Sequence, residues 1–155
     1  MRSAAAVAIA MLLCIVACTT NPPQRSAAHV ASGAQIAAIA TRLIGTPYQF
    51  GGADAAGFDC SGLAVYVHEG VGLEIPRTAA DQSRAALPVA RADLQPGDLV
   101  FFRIIAHRVD HVGIYAGGDR FVHAPRRGEV VSYASLNDPY FAKRLVGAGR
   151  FWSLP

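Results

Sequence analysis

Three side chains in this sequence have the types and spacing for nucleophilic chemistry. They are Cys60 in GFDCSG, His111 in DHVGIY and His123 in RFVHAP. The chain holds 3 cysteines. Cys14 and Cys18 both lie in an apolar N-terminal run, so Cys60 has no disulfide partner in the body of the chain. Asp59 is a favoured helix N-cap, which places Cys60 in a first helical turn. Unpaired backbone N–H groups and the positive end of the helix dipole meet the sulfur there, and both lower the pKa of a thiol. A nucleophilic thiol also needs a base and a third group to orient that base. His111 and His123 are separated by an even number of residues on consecutive predicted strands joined by AGGD. That parity puts both on one sheet face when the hairpin allows it. A helix packed over this face would bring Cys60 to them and complete a Cys–His–His relay.

Other chemistries fit the same residues. A lone cysteine is often a small buried hydrophobe, and Asp59 need be no more than a cap. His107, Asp110, His111 and His123 form a conceivable metal set, since histidine and aspartate bind zinc readily. His29 falls in a polar tether and His68 on the surface of a predicted helix, so neither enters the site.

The elements that must position these groups divide the chain in two. Gln35 to Ile44 carries Ile36, Ile39, Ala40 and Leu43 at helical spacing and stops at Gly45, with Pro47 beyond. The Gly-rich YQFGGADAAG follows, then a helix over 60–69 with Leu63, Ala64 and Val67 on one face and Gly70 at its end. A third short helix is predicted over 78–85. Beyond Gln95-Pro96-Gly97, strands are predicted over 99–103, 111–115, 120–124, 129–133 and 145–151, separated by Gly and Asp turns. Helices first and an antiparallel sheet after them define an α+β domain.

The first 17 residues, MRSAAAVAIAMLLCIVA, carry one basic residue and then only small and apolar ones. Such a run has the length of a signal-peptide core and is short for a spanning helix. It ends in Ile15-Val16-Ala17-Cys18, which resembles a bacterial lipoprotein cleavage box with Cys18 as the lipidated first residue of the mature chain. Residues 18–33, opening TTNPPQRSAAH after the cysteine, suit a tether, and 34–155 form a single domain large enough for its own core. Of 14 basic residues the leader removes only Arg2, against 11 acidic ones in the mature chain. So small a surplus, scattered along the chain, argues against a nucleic-acid partner.

The ordered motifs GTPYQFGGADAAGFDCSGL, PRTAADQ, LQPGDLVFF, HVGIYAGGDRFVHAP and GAGRF resemble the NlpC family of papain-like cysteine peptidases, bacterial cell-wall hydrolases, across about residues 34–152. The resemblance implies an NlpC fold with a helical first half packed on an antiparallel sheet. It implies Cys60 as nucleophile, His111 as general base and His123 as the group orienting it. Tyr48 matches a tyrosine that assists at the oxyanion. Asp59 and Ser61 match positions that contact a free substrate amine, and Arg77 matches a pocket arginine. The implied substrate is peptidoglycan, cut in its stem peptides between D-glutamate and diaminopimelate or at D-alanyl–diaminopimelate cross-links, with no metal or other cofactor. A lipid-anchored monomer on the periplasmic side of the outer membrane follows, because Thr19 is not the aspartate that retains many lipoproteins in the inner membrane. A thiol acyltransferase or amidase and a non-catalytic murein-binding lipoprotein are the rival classes. The IIAHRVD stretch before His111 is longer than the family pattern.

Overall fold

A computed structural model describes residues 31–105 and 107–152; the predicted leader, Cys14, Cys18 and His29 lie outside the described residues. The α+β expectation holds. Helix α1 (Gly33–Arg42) opens at Ser32, whose hydroxyl accepts from the Gln35 N–H while the Gln35 side chain accepts from the Ser32 N–H. This reciprocal capping box satisfies two N–H groups that the helix itself leaves open. Ala31 and Gly33 are already buried, so the folded domain takes in the last residues assigned to the tether.

A two-stranded hairpin follows, β1 (Ala53–Asp54) and β2 (Gly57–Phe58), then α2 (Cys60–Glu69) and α3 (Ala79–Ala85). The β half contains β3 (Leu87–Val89), β4 (Leu99–Phe102), β5 (His111–Gly117), β6 (Arg120–His123), β7 (Ser132–Ser135), the short helix α4 (Pro139–Ala142) and β8 (Leu145–Arg150). These strands form one antiparallel sheet in the order β3-β8-β4-β5-β6-β7. No described helix is long and apolar enough to cross a membrane.

The strand predicted over 129–133 is displaced. Residues 129–131 pair with the segment after α1: Tyr48 N–H donates to the Glu129 carbonyl at 2.9 Å, and Val131 N–H to the Thr46 carbonyl at 2.8 Å. The β6 partner therefore begins only at Ser132. Backbone groups must pair somewhere when buried, and here the loop carrying Tyr48 takes the pairing that a longer β7 would have used.

Strand alternation sorts the core into two layers. Leu99, Phe101, Val112, Ile114 and Val122 face α1 and α2, in one cluster with Ile36, Ala40, Leu63, Ala64 and Val67. Val100, Phe102, Phe121 and Leu136 lie on the other face with Phe141 of α4. Each buried Val, Leu, Ile or Phe among them contributes about 1.5–3 kcal/mol. Together they make the sheet a rigid floor through which the two sides of the site connect.

Candidate active site

Helix α2 starts as its sequence dictates. Asp59 has extended backbone, and its carboxylate accepts from the Gly62 N–H at 2.6 Å. Gly62 is required by packing: a Cβ there would run into the Gly52 carbonyl. That carbonyl is itself the acceptor for Asp59 N–H at 3.0 Å. The glycine-rich loop thus lies directly against the first turn of α2 and fixes where Cys60 points.

Both histidines share a sheet face, but it is not the face that α2 covers. His111 and His123 alternate with Val112 and Val122, which face α2, and so they fall on the side of the aromatic layer. His111 Nε2 stands 2.9 Å from His123 Nδ1. Phe102 packs against His111, and Phe121 and Phe141 pack against His123 at near-perpendicular or tilted angles. Cys60 reaches the pair from the helix side, across the start of β5. Its Sγ meets the Asp110 carbonyl at 4.0 Å, and the Val112 N–H faces the sulfur. Cys60, His111 and His123 all line one cleft of about 910 Å³.

The titration of these groups departs from expectation. Burial pushes the Cys60 thiol up to about 11, the Asp59 charge adds to the rise, and N–H groups of Val112, Ser61 and Cys60 only partly oppose it. The helix N-terminus therefore does not make a free thiolate here, because desolvation disfavours charge more than the local dipoles favour it. Burial lowers His111 to about 4, with the Asp110 carboxylate opposing, and lowers His123 to about 3, with His111 adding to the fall. At neutral pH the resting cleft holds an uncharged thiol and an uncharged imidazole. Should His111 accept a proton, both its ring nitrogens carry hydrogen, so His123 Nδ1 must accept from His111 Nε2–H. The same tautomer before transfer leaves His111 Nδ1 as the free base.

A second cleft, about 590 Å³, shares Tyr48, Phe50, Cys60 and Asp110 with the first and extends past Asp59, Ser61, Thr78, Asp81, Arg84 and Arg108. The two form one trough with the thiol at its middle. Tyr48 sits at the junction. Burial raises its pKa, and the nearby Cys60 and Asp59 charges add to this, so its hydroxyl remains a hydrogen-bond donor at neutral pH.

Asp59, Ser61 and Arg77 form one network. Arg77 grips both carboxylate oxygens of Asp59, at 3.0 and 2.7 Å, and donates to Ser61 Oγ at 2.9 Å. The carboxylate also accepts from the N–H groups of Gly51 and Gly62 and from the Ser61 hydroxyl. Arg77 is not among the residues lining the trough; it stands behind Asp59 and Ser61 and aligns them. Buried Gln82 adds a tie the sequence reading missed, donating to the carbonyls of Ser61 at 3.1 Å and Pro76 at 2.8 Å. Within α3 only Ala79 and Gln82 are buried, three residues apart on one face.

Two readings of other histidines change. His68, expected on a surface, is fully buried: its Nδ1 lies 2.8 Å from the Ala64 carbonyl, and burial lowers its pKa to about 4. It belongs to the core, beside Phe151. His107 is exposed, and the Asp110 carboxylate is turned to the Ile104 and Ile105 N–H groups at 2.6 and 2.8 Å. Among the described residues no three His, Cys, Asp or Glu side chains are grouped to hold a metal ion.

A helix-borne thiol, a strand-borne histidine pair and a trough open on both sides define the class: an α+β fold carrying a thiol–imidazole site of the cysteine-peptidase kind. Comparison with known proteins gives the family. The NlpC/P60 family profile matches residues 45–150. The murein DD-endopeptidase MepH of Escherichia coli K12 is 44% identical over 112 residues, covering 69% of this chain and 41% of its own. The gamma-D-glutamyl-L-lysine dipeptidyl-peptidase of Bacillus subtilis 168 is 36% identical over 113 residues, covering 72% of this chain and 38% of its own. The chain therefore spans about two-fifths of the length of these relatives. Among solved structures, an NlpC/P60 family protein of Bacillus cereus ATCC 10987 superposes with a TM-score of 0.75 at 32% identity, over 80% of this chain and 41% of that one. The NlpC/P60 domain of the peptidoglycan hydrolase SagA superposes at 0.69 and 35% identity, over 78% of this chain and all of its own. The chain belongs to the NlpC/P60 family.

Proposed function

We propose that this chain is a murein endopeptidase that hydrolyses an amide bond of peptidoglycan stem peptides through a Cys60 thioester. The observation carrying this reading is the convergence of Cys60, His111 and His123 on one cleft, with His111 Nε2 2.9 Å from His123 Nδ1. The names of the relatives supply the substrate class.

His111 takes the Cys60 proton as the sulfur attacks the scissile carbonyl carbon, forming the C–S bond and a tetrahedral oxyanion. The Cys60 N–H and the Tyr48 hydroxyl, from residues that line both clefts, are the donors assigned to that charge. Collapse expels the amine, which leaves with the proton from His111. Water then gives a proton to His111 and attacks the thioester; the C–S bond breaks, and the thiol recovers its proton. His123 holds His111 by accepting its Nε2–H throughout. Because His111 protonates the leaving amine, that half of the substrate lies in the histidine-lined cleft and the acyl half lies toward Asp59 and Ser61. Asp59 and Ser61 present the polar wall that meets a free amine at the acyl end, with Arg77 aligning them.

The test is digestion of defined muropeptides with mass analysis of products, by wild type and Cys60→Ala. Cleavage of a D-glutamyl–diaminopimelate or D-alanyl–diaminopimelate bond, lost in the variant, is expected; an intact substrate, or cleavage by Cys60→Ala, overturns the reading. Localisation is part of the proposal: the cleavage box at Cys18 and the polar stretch after it support a lipid anchor holding the domain at the periplasmic face of the outer membrane. A mature chain beginning elsewhere than Cys18, or one that partitions into the aqueous phase, would remove the anchor.

A further inference from the structure

Described residues of the stretch before His111 line the trough on both sides of the nucleophile. Ile104 and Ile105 line the histidine-side cleft, Arg108 and Val109 line the other, and Asp110 lines both. Asp110 is the clasp. Its carboxylate binds the Ile104 and Ile105 N–H groups at 2.6 and 2.8 Å, and its own N–H donates to the Phe102 carbonyl at 3.1 Å. Arg108 is thereby carried on a stretch fastened to the root of β5, next to His111.

The charges around the acyl-side cleft are largely spent on one another. Asp59 is held by Arg77, and Asp81 is paired with Arg84. In the other cleft Arg126 is paired with Glu129 at 2.6 Å. Arg108 alone among the arginines lining the trough has no hydrogen bond or ion pair among the described residues. A guanidinium offers five donors in a fixed fork matched to a carboxylate. With no acceptor among the described residues, that fork is available to a ligand in the acyl-side cleft.

We infer that Arg108 is a specificity-determining residue that receives a free carboxylate on the acyl half of the substrate, close to the scissile carbonyl. This rests on the proposed peptidase reading for which half lies where. A peptide whose acyl residue is a γ-linked D-glutamate has that carboxylate; its isoglutamine counterpart presents a neutral amide at the same place. The guanidinium favours the acid through a charge-assisted pair, and an exposed pair of this kind weakens with added salt.

The test is calorimetric binding to the full chain carrying Cys60→Ala, with L-alanyl-γ-D-glutamyl-diaminopimelate and its isoglutamine counterpart as the two ligands. The acid should bind about tenfold more tightly than the amide at low salt, the scale of one charge-assisted hydrogen bond. Adding Arg108→Gln should erase the difference by weakening the acid alone, and Arg108→Lys should restore part of it. A merely structural role for Arg108 would weaken both ligands together and leave their ratio unchanged. Equal binding of the two, binding of neither, or discrimination that survives Arg108→Gln overturns the assignment. Failure of the wild type to cut any muropeptide is a separate result, and it overturns the peptidase reading instead.

Discussion

The titration of Cys60 decides how this site works, and it can be measured directly. With the thiol near 11 and His111 near 4, moving the proton between them in isolation spans about seven pKa units, on the order of 9 kcal/mol. The resulting ion pair regains about 4 kcal/mol if its charges sit ~4 Å apart at an effective dielectric constant of ~20. The balance of about 5 kcal/mol leaves a resting thiolate–imidazolium population on the order of 10⁻⁴. Attack must then be concerted with proton transfer to His111 rather than start from a standing thiolate. The assay is the rate of iodoacetamide alkylation of the Cys60 peptide, followed by mass against pH, for wild type and His111→Ala. Wild type should alkylate slowly near neutrality and accelerate continuously above about pH 8, the range in which even an unperturbed thiol ionises. His111→Ala should change this curve little while abolishing hydrolysis. The acid limb of kcat/KM should follow His111, with activity lost as pH falls through about 4, because a protonated His111 cannot accept the thiol proton. A wild-type alkylation midpoint below about pH 8 that disappears in His111→Ala would refute this reasoning, since it would show a preformed ion pair.

The two histidines should separate by substitution. His111→Ala removes the proton carrier and should cost the most, whereas His123→Asn or His123→Gln keeps an acceptor for His111 Nε2–H and should retain measurable kcat; equal abolition by His123→Gln and His111→Ala would contradict these roles. Tyr48→Phe should lower kcat about 10²-fold with little change in KM, the effect of losing one oxyanion donor, and an unchanged kcat in steady-state assays would remove Tyr48 from the reaction. His68 predicts acid lability. Its folded pKa near 4 lies below the unfolded value of 6.5, so the unfolded chain binds more protons between them. Its contribution is complete above 6.5 and is lost as pH falls toward 4, amounting to about 3 kcal/mol. Urea unfolding across that window should show a shallower pH slope for His68→Leu than for wild type; identical slopes would count against it.

The parts of the fold legible in the sequence are those where one local rule and one tertiary demand agree. Asp59 and Cys60 illustrate this: cap and first turn follow from types and spacing, and the structure puts the start of α2 where they place it. The shared face of His111 and His123 was legible on one condition, that the register pairs residues of like parity, as Ile114↔Val122 and Tyr115↔Phe121 do; a one-residue slip would have put them on opposite faces. Which face it is was not legible. Parity relates two residues to each other and says nothing of where a helix packs, so α2 lies on the opposite face and Cys60 must meet the histidines across the edge of β5. His68 failed similarly: helical periodicity assigns it an angle, but tertiary packing, including Phe151 more than eighty residues on, makes that angle interior.

The thiol's titration was misread for a deeper reason. Caps and dipoles are local and can be counted along the chain, whereas desolvation is set by everything that packs over a group. Cys60 packs against the main core cluster, the Val112 N–H of β5 faces its sulfur, and Tyr48 from the loop lines the same clefts; neither Val112 nor Tyr48 lies in the helix that carries it. The same burial acts in one direction on the thiol and the other on the imidazole, keeping both uncharged at rest. It also means that charge created during reaction is poorly served by water and must be met by fixed groups, namely the Val112 and Ser61 N–H donors at the sulfur and His123 at the imidazolium. A site of this kind holds its nucleophile inert until a substrate carbonyl is in place to receive it. That restraint comes from packing rather than from any residue a motif could name.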